Sequence, residues 1–410
     1  MTRRPLIGVG AVAVVVTAAL VFTFASAPSV RPGASAGPSA SGLAAGGASA
    51  GASDPPATPV PIPGHELFGF VPYWEMDGTI AAHLAKTPLT TLGLFSVTHT
   101  KTGKIDTSQT GYKRITGSIG DQMIREAHDR GVAVELVYSS FGVARNDRFF
   151  TTPKVQDATI ANLAALVKKI GVDGITVDVE QLRDDNIAPY GAFVGRLRAA
   201  LQADSPKAQV TAATGAGRTG AAMARAAVQA GADRIFLMGY DYHYAGSDVG
   251  ASAPMDRRDG ADADLPWSLD LYAASDVPVE KTILGLPLYG MRWRVSGPEL
   301  GAPRLGDGAI WVPADNPKFL ANPPAPPETD PIEVVEFYAV APTVSPVPGD
   351  SRATAGWQAI YVDSPATLTP KLALADERGL AGAGFWAIGY ERGQPDLTAL
   401  IAKFRADELD

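Results

Sequence analysis

From residue 66 onward the chain alternates short β-rich apolar runs with stretches of helical periodicity, and that alternation leaves few folds open. The candidate strands are Leu67–Pro72, Thr91–Val97, Ala133–Tyr138, Gly174–Val179, Gln209–Ala213, Arg234–Met238, Thr282–Leu286 and Ala383–Ala387. Between them, apolar residues recur at spacings of three and four: Leu163, Leu166, Val167 and Ile170 form one stripe, Phe193, Leu197 and Leu201 another. Leu397, Leu400, Ile401 and Phe404 form the last. Eight strands with crossover helices predict the α/β class and a (β/α)₈ TIM barrel. A doubly wound open sheet is the structural rival, but no Gly-rich dinucleotide loop follows the first strand. Residues 291–356 break the rhythm with Pro, Gly and short β-like pieces, and read as an insertion after the seventh strand.

The N-terminal 64 residues carry a different pattern. Arg3 and Arg4 precede an uncharged apolar run from Leu6 to Ala25, and Ala25-Ser26-Ala27 fits a small-x-small cleavage site. Residues 1–27 are therefore expected to be a signal peptide, or an uncleaved membrane anchor, since the run is long enough to span a bilayer. Either leaves the remainder outside the cytoplasmic membrane, secreted or tethered to the envelope. Residues 28–64 are almost entirely Ala, Gly, Ser and Pro and read as a disordered linker, leaving 65–410 as the catalytic-size domain.

Composition narrows the chemistry. A net charge of −8 argues against a nucleic-acid partner, which demands a basic footprint. The absence of cysteine removes disulfides, thiolate metal sites and cysteine nucleophiles. The five histidines lack metal-ligand spacing, so neither metal nor other cofactor is expected.

The run Asp173-Gly174-Ile175-Thr176-Val177-Asp178-Val179-Glu180 carries the sharpest chemical signal. Strand side chains alternate, so Thr176, Asp178 and Glu180 share one face while Ile175, Val177 and Val179 pack on the other. Two neighbouring carboxylates repel, which favours keeping one protonated near neutral pH, as a general acid requires. Asp173 fits a turn-fixing role at the strand start. In a barrel, strand C-termini line the active site. Glu180 ends the fourth strand, Met238-Gly239-Tyr240-Asp241-Tyr242 the sixth and Trp386 the eighth, while Tyr73 and Trp74 follow the first. Acids among tyrosines and indoles suit sugar rings, whose apolar faces stack on aromatic planes. Trp74, Trp293 and Tyr242 are candidate stacking platforms or simple packing; His243 reads as a satisfied loop histidine and Ser140 as polar support.

These motifs resemble those of glycoside hydrolase family 18, the chitinase family. The octet ending in Glu180 is similar to the Asp-Gly-x-Asp-x-Asp-x-Glu signature, and Met238-Gly239-Tyr240-Asp241 to its Met-x-Tyr-Asp motif. Lys281–Gly290 resembles the seventh-strand segment and Gly382-Ala383-Gly384-Phe385-Trp386 the eighth-strand tryptophan segment. The resemblance implies substrate-assisted, retaining hydrolysis: Glu180 as proton donor, Asp178 orienting the substrate's acetamido group, Tyr240 bonding its carbonyl and Asp241 seating the sugar. Trp386 would floor the pocket, with Tyr73, Trp74, Met238 and Trp293 as substrate contacts. An N-acetylated polysaccharide, chitin or peptidoglycan, is then the partner. The Ser247–Pro254 loop resembles one of cell-wall and spore-germination members. One departure stands out, because the family usually has an aspartate where this chain has Thr176. The expected effect is a retuned pH profile with activity retained. A non-catalytic lectin on the same fold is the rival reading, and retention of Glu180 opposes it.

Overall fold

The computed structural model describes residues 64–342 and 356–409. The leader at 1–27 and nearly all of the linker at 28–64 lie outside the described residues. No helix among the described residues is long and apolar enough to cross a membrane.

Eight parallel strands close into a barrel: β1 (Glu66–Pro72), β2 (Thr91–Val97), β3 (Ala133–Phe141), β4 (Gly174–Glu180), β5 (Gln209–Gly215), β6 (Arg234–Met238), β7 (Thr282–Pro287) and, last in the chain, β13 (Gly382–Trp386). All eight expected strands form, and β3, β4, β5 and β7 run one to three residues past their expected ends. The outward faces of the strands meet the helical stripes. Leu163, Leu166 and Val167 of the helix Pro153–Ile170 are buried, as are Phe193, Leu197 and Leu201 of Ile187–Asp204 and Leu400, Ile401 and Phe404 of Pro395–Arg405. Each such side chain contributes about 1.5–3 kcal/mol on burial, so the stripes account for why these helices dock where they do.

The barrel interior is a separate apolar plug of Phe68, Phe70, Phe95, Val137, Phe236 and Ile283. Phe70 and Phe236 meet edge-to-face with centroids 4.8 Å apart. A methyl on Gly384 of β13 would lie 2.4 Å from the Phe236 ring, so this strand position tolerates only hydrogen.

Between β7 and β13 the chain builds an antiparallel sheet of β8 (Gly290–Val295), β9 (Ala309–Trp311), β10 (Glu328–Asp330), β11 (Val335–Val340) and β12 (Trp357–Val362), in the order β10-β11-β12-β8-β9. Its strands reach beyond residues 291–356 at both ends, because β8 begins directly after the β7 turn and β12 pairs with it along Trp357↔Val295 to Tyr361↔Met291. The sheet is fastened to the loop after β6 by Glu333, whose carboxylate accepts from the Ala251 N–H (2.6 Å) and the Arg258 N–H (3.3 Å).

Candidate active site

β4 delivers the acids. Ser139, Ser140 and Phe141 of β3 lie opposite Asp178, Val179 and Glu180, and β5 supports the other side through Ala213 opposite Asp178. Asp178 is buried, while Glu180, at the strand end, keeps some solvent contact. Burial pushes the Asp178 carboxyl up to about 7. Burial, then the Asp178 and Asp241 charges, hold Glu180 well above the usual carboxylate range. The Asp178 Oδ1 is buried and makes no hydrogen bond within the protein. The backbone at Glu180 is fixed from behind: Asn146 Nδ2 donates to the Glu180 carbonyl (2.6 Å), and Ser140 Oγ donates to Asn146 Oδ1 (2.7 Å). Ser140 thus does act as polar support, through Asn146.

The end of β6 supplies the second half. Tyr240 sits among the three carboxyls of Asp178, Asp241 and Glu180, and burial followed by those charges keeps its phenol firmly protonated. Asp241 adopts a left-handed backbone (φ 63°), which turns the chain sharply after Tyr240. The Asp241 N–H donates to Ser252 Oγ (3.0 Å), and Tyr289 Oη donates to Asp241 Oδ1. Burial raises Asp241 to about 6, with the Tyr289 hydrogen bond opposing the rise. Tyr289 and Ser252 were not singled out from the sequence as site residues; Tyr289 closes the seventh-strand motif and Ser252 lies in the loop after β6. Met238 is half-buried against the interior plug.

Aromatic residues close the mouth on the β13–β1–β2 side. Trp386 is half-buried, with its ring 4.8 Å from Phe95 and 5.8 Å from Phe70, centroid to centroid. Trp74 is half exposed, edge-on to Trp386 at 6.4 Å, and its indole N–H donates to Tyr390 Oη (3.1 Å). Tyr73 stands edge-on to Trp74 at 4.9 Å. Trp293 departs from expectation as a substrate contact. It is 1 % exposed in β8, edge-on to Tyr361 and covered by Gly308, where even a methyl would lie 2.4 Å from the indole nitrogen. A side chain walled in by its own antiparallel sheet cannot stack on a sugar. Tyr242 is buried too, its hydroxyl paired with Ser268 Oγ at 2.6 Å.

Thr176 has a partner that its own strand does not reveal. Its hydroxyl donates to Glu135 Oε2 (2.7 Å), and Thr211 Oγ1 donates to Glu135 Oε1 (3.0 Å). Glu135 is fully buried in β3, burial raises its carboxyl, and the Arg234 guanidinium at 3.7 Å opposes that rise. A carboxyl therefore lies against position 176 even though position 176 does not carry one. Asp173 accepts from the Val134 N–H (2.8 Å) and contacts His128 Nε2 (2.8 Å), fastening the strand start away from the mouth. His243 is buried between the Asp248 carbonyl (2.8 Å) and Glu333 (3.2 Å), a structural histidine.

A parallel barrel with acids, a tyrosine and an indole at its C-terminal mouth is a chitinase-like arrangement. Residues 121–391 match the family of "Glycosyl hydrolases family 18", and the chain belongs to that family. The putative sporulation-specific glycosylase YdhD of Bacillus subtilis is 28 % identical over 163 residues, 38 % of this chain and 36 % of that protein. The chain spans less than half the length of the curated relatives it matches. Among solved structures, the spore cortex-lytic enzyme SleL of Bacillus cereus superposes with a TM-score of 0.65 at 16 % identity, over 83 % of this chain and 74 % of that one. A family 18 chitinase of Cycas revoluta, solved with (GlcNAc)3, gives 0.66 at 17 % identity, over 84 % of this chain and all of that one. At such identities the likeness is one of fold.

Proposed function

We propose that the protein is a retaining glycosidase that hydrolyses β-1,4-linked, N-acetylglucosamine-containing polysaccharide with help from the substrate's own acetamido group. Glu180 donates its proton to the glycosidic oxygen as the C1–O bond breaks, and the acetamido carbonyl oxygen closes on C1 to give an oxazolinium ion. Water then opens that ion at C1, returning a proton to Glu180 and restoring the starting configuration. Asp178 Oδ1 accepts from the acetamido N–H, Tyr240 Oη donates to the acetamido oxygen, Asp241 seats the sugar and Trp386 floors it. Tyr73, Trp74 and Met238 contact the flanking chain.

The observation that carries this reading is the adjacency on β4 of Glu180, whose carboxyl is raised well above its usual range, and Asp178 Oδ1, a buried acceptor that has no partner. A lectin needs neither. The (GlcNAc)3 in the Cycas chitinase supports an N-acetylated ligand. We also propose that the domain acts outside the cytoplasmic membrane, on the strength of the apolar N-terminal run; detection of the chain in the cytoplasmic fraction alone would overturn this.

The test sets wild type beside Glu180→Gln on chitin oligosaccharides and on purified peptidoglycan, reading new reducing ends. Release by wild type and loss in the variant, with binding retained, is the expected outcome. Binding by wild type without cleavage of either glycan would establish the lectin instead.

A further inference from the structure

Beside the acids, on the β1–β2–β3 side of the mouth, lies a cavity of about 230 Å³ that the proposed mechanism does not use. Small-molecule pockets run to roughly 300–1,000 Å³, so this one suits a substituent on a longer ligand rather than a separate molecule. Tyr73 and Phe141 give it an apolar wall; Ser96, Ser139, Gln109 and Arg145 give it a polar one. Register fixes its position, since Ser139 and Phe141 pair directly with Asp178 and Glu180. A glycan strand seated on Glu180 passes it within one strand spacing, about 4.8 Å.

Arg145 is the unusual member. Its guanidinium is half-buried, and among the described residues it forms no ion pair within 4 Å. Its Nε donates to Ser140 Oγ (3.2 Å), and its Nη2 donates to Thr98 Oγ1 (2.7 Å) and the His99 carbonyl (2.5 Å). Of five N–H donors, the two on Nη1 have no acceptor among these bonds. Asp106 acts on Arg145 only through the longer-range field, and Arg148, on the same helix, adds a second positive charge. A half-buried cation without a counter-ion is costly, and an anion arriving at Nη1 relieves that cost. Chitin carries no such anion.

We propose that this cavity is a carboxylate subsite in which Arg145 receives an acidic substituent of the glycan, making an amino-sugar polymer of the peptidoglycan kind the preferred substrate. The inference rests on the glycosidase reading of Glu180 and narrows its substrate class. The carboxylate has two possible sources, the lactyl ether of the muramic residue or the peptide stem attached to it.

The test compares wild type on four substrates: chitin oligosaccharides, peptidoglycan strands with stems intact, strands stripped to free lactyl carboxylates, and stripped strands with those carboxyls converted to methylamides. The expected result is a kcat/KM about tenfold higher for a carboxylated strand than for its methylamide, seated in KM, the lower end for a hydrogen bond to a charged group. Preference for stripped over methylamidated strands assigns the lactyl group; preference confined to intact strands assigns the stem. In Arg145→Gln the ratio should collapse, and Arg145→Lys should keep part of it. Equal rates by wild type on intact, stripped and methylamidated strands, or an unchanged preference in Arg145→Gln, would overturn the proposal. The wild-type arm needs no variant to fold. Calorimetric binding of the same strands to Glu180→Gln reads the subsite without turnover, so a failure of hydrolysis and a failure of carboxylate recognition are told apart.

Discussion

Removing the Tyr289 hydroxyl should narrow the pH–rate profile from both sides. Tyr289→Phe keeps the ring, which packs near Tyr240 with centroids 6.3 Å apart, and deletes only the donor to Asp241 Oδ1. A hydrogen bond to a charged group contributes about 1.5–3 kcal/mol, and one pH unit corresponds to about 1.4 kcal/mol. Asp241, raised to about 6 in the intact site, should therefore titrate about one to two units higher. Ser252 Oγ, 3.5 Å from the same carboxylate oxygen, can recover part of the loss by tightening, which favours the lower figure. An Asp241 that stays protonated near neutrality also withdraws one of the charges holding Glu180 high. The acidic limb of kcat/KM should rise by about one unit while the alkaline limb falls. Initial rates between pH 4 and 10 on a soluble oligosaccharide read both limbs, and a thermal melt confirms folding. A profile that superimposes on wild type, or slides bodily in one direction, would refute the coupling of Tyr289, Asp241 and Glu180.

Three further outcomes are expected. The folded Asp178 binds its proton more tightly than the unfolded chain does, so the destabilisation it causes grows as pH climbs from about 4 through about 7; Asp178→Asn should stabilise the fold at pH 8 by an upper bound of about 4 kcal/mol, read as a raised melting temperature, and lose that advantage at pH 4, and equal melting shifts at both pH values would contradict it. Thr176→Val leaves the buried Glu135 one donor short at a cost of about 1.5–3 kcal/mol, or roughly 2–4 °C for a domain of about 350 residues, read by calorimetry; no change in melting would show that Thr176 does not hold Glu135. Lys371 is fully buried against Asp363 (2.6 Å), so Asp363→Ala should cost about 3–5 kcal/mol by denaturant titration, and a loss below about 1 kcal/mol would mean the pair is relaxed in solution.

The strands could be read because each is a short apolar run whose inward and outward faces are both buried, and the helices because their stripes repeat at 3.6 residues. The placement of Asp178, Glu180, Tyr240, Asp241 and Trp386 at the barrel mouth was legible because each belongs to a compact local motif at a strand end. Trp293 was not, since its burial depends on an antiparallel partner, Ala359, far along the chain. Glu135 left a visible trace, a lone acid inside Ala133–Tyr138, yet its meaning rests on hydroxyls from two other strands. Ser252 and Tyr289 likewise acquire a role only once their loops converge on Asp241. Local periodicity announces elements; it is silent on which distant side chains complete a hydrogen bond.

The Glu135–Thr176 contact shows how a fold can keep an ingredient that a linear signature reports missing. Strands β3 and β4 run side by side, so transferring an acid from one to its neighbour displaces it by about the width of a single ladder. In the chain the same transfer spans 41 positions. Counting acids along one strand thus understates the protons available inside this barrel, and motif departures in its relatives are better judged across the ladder than along it.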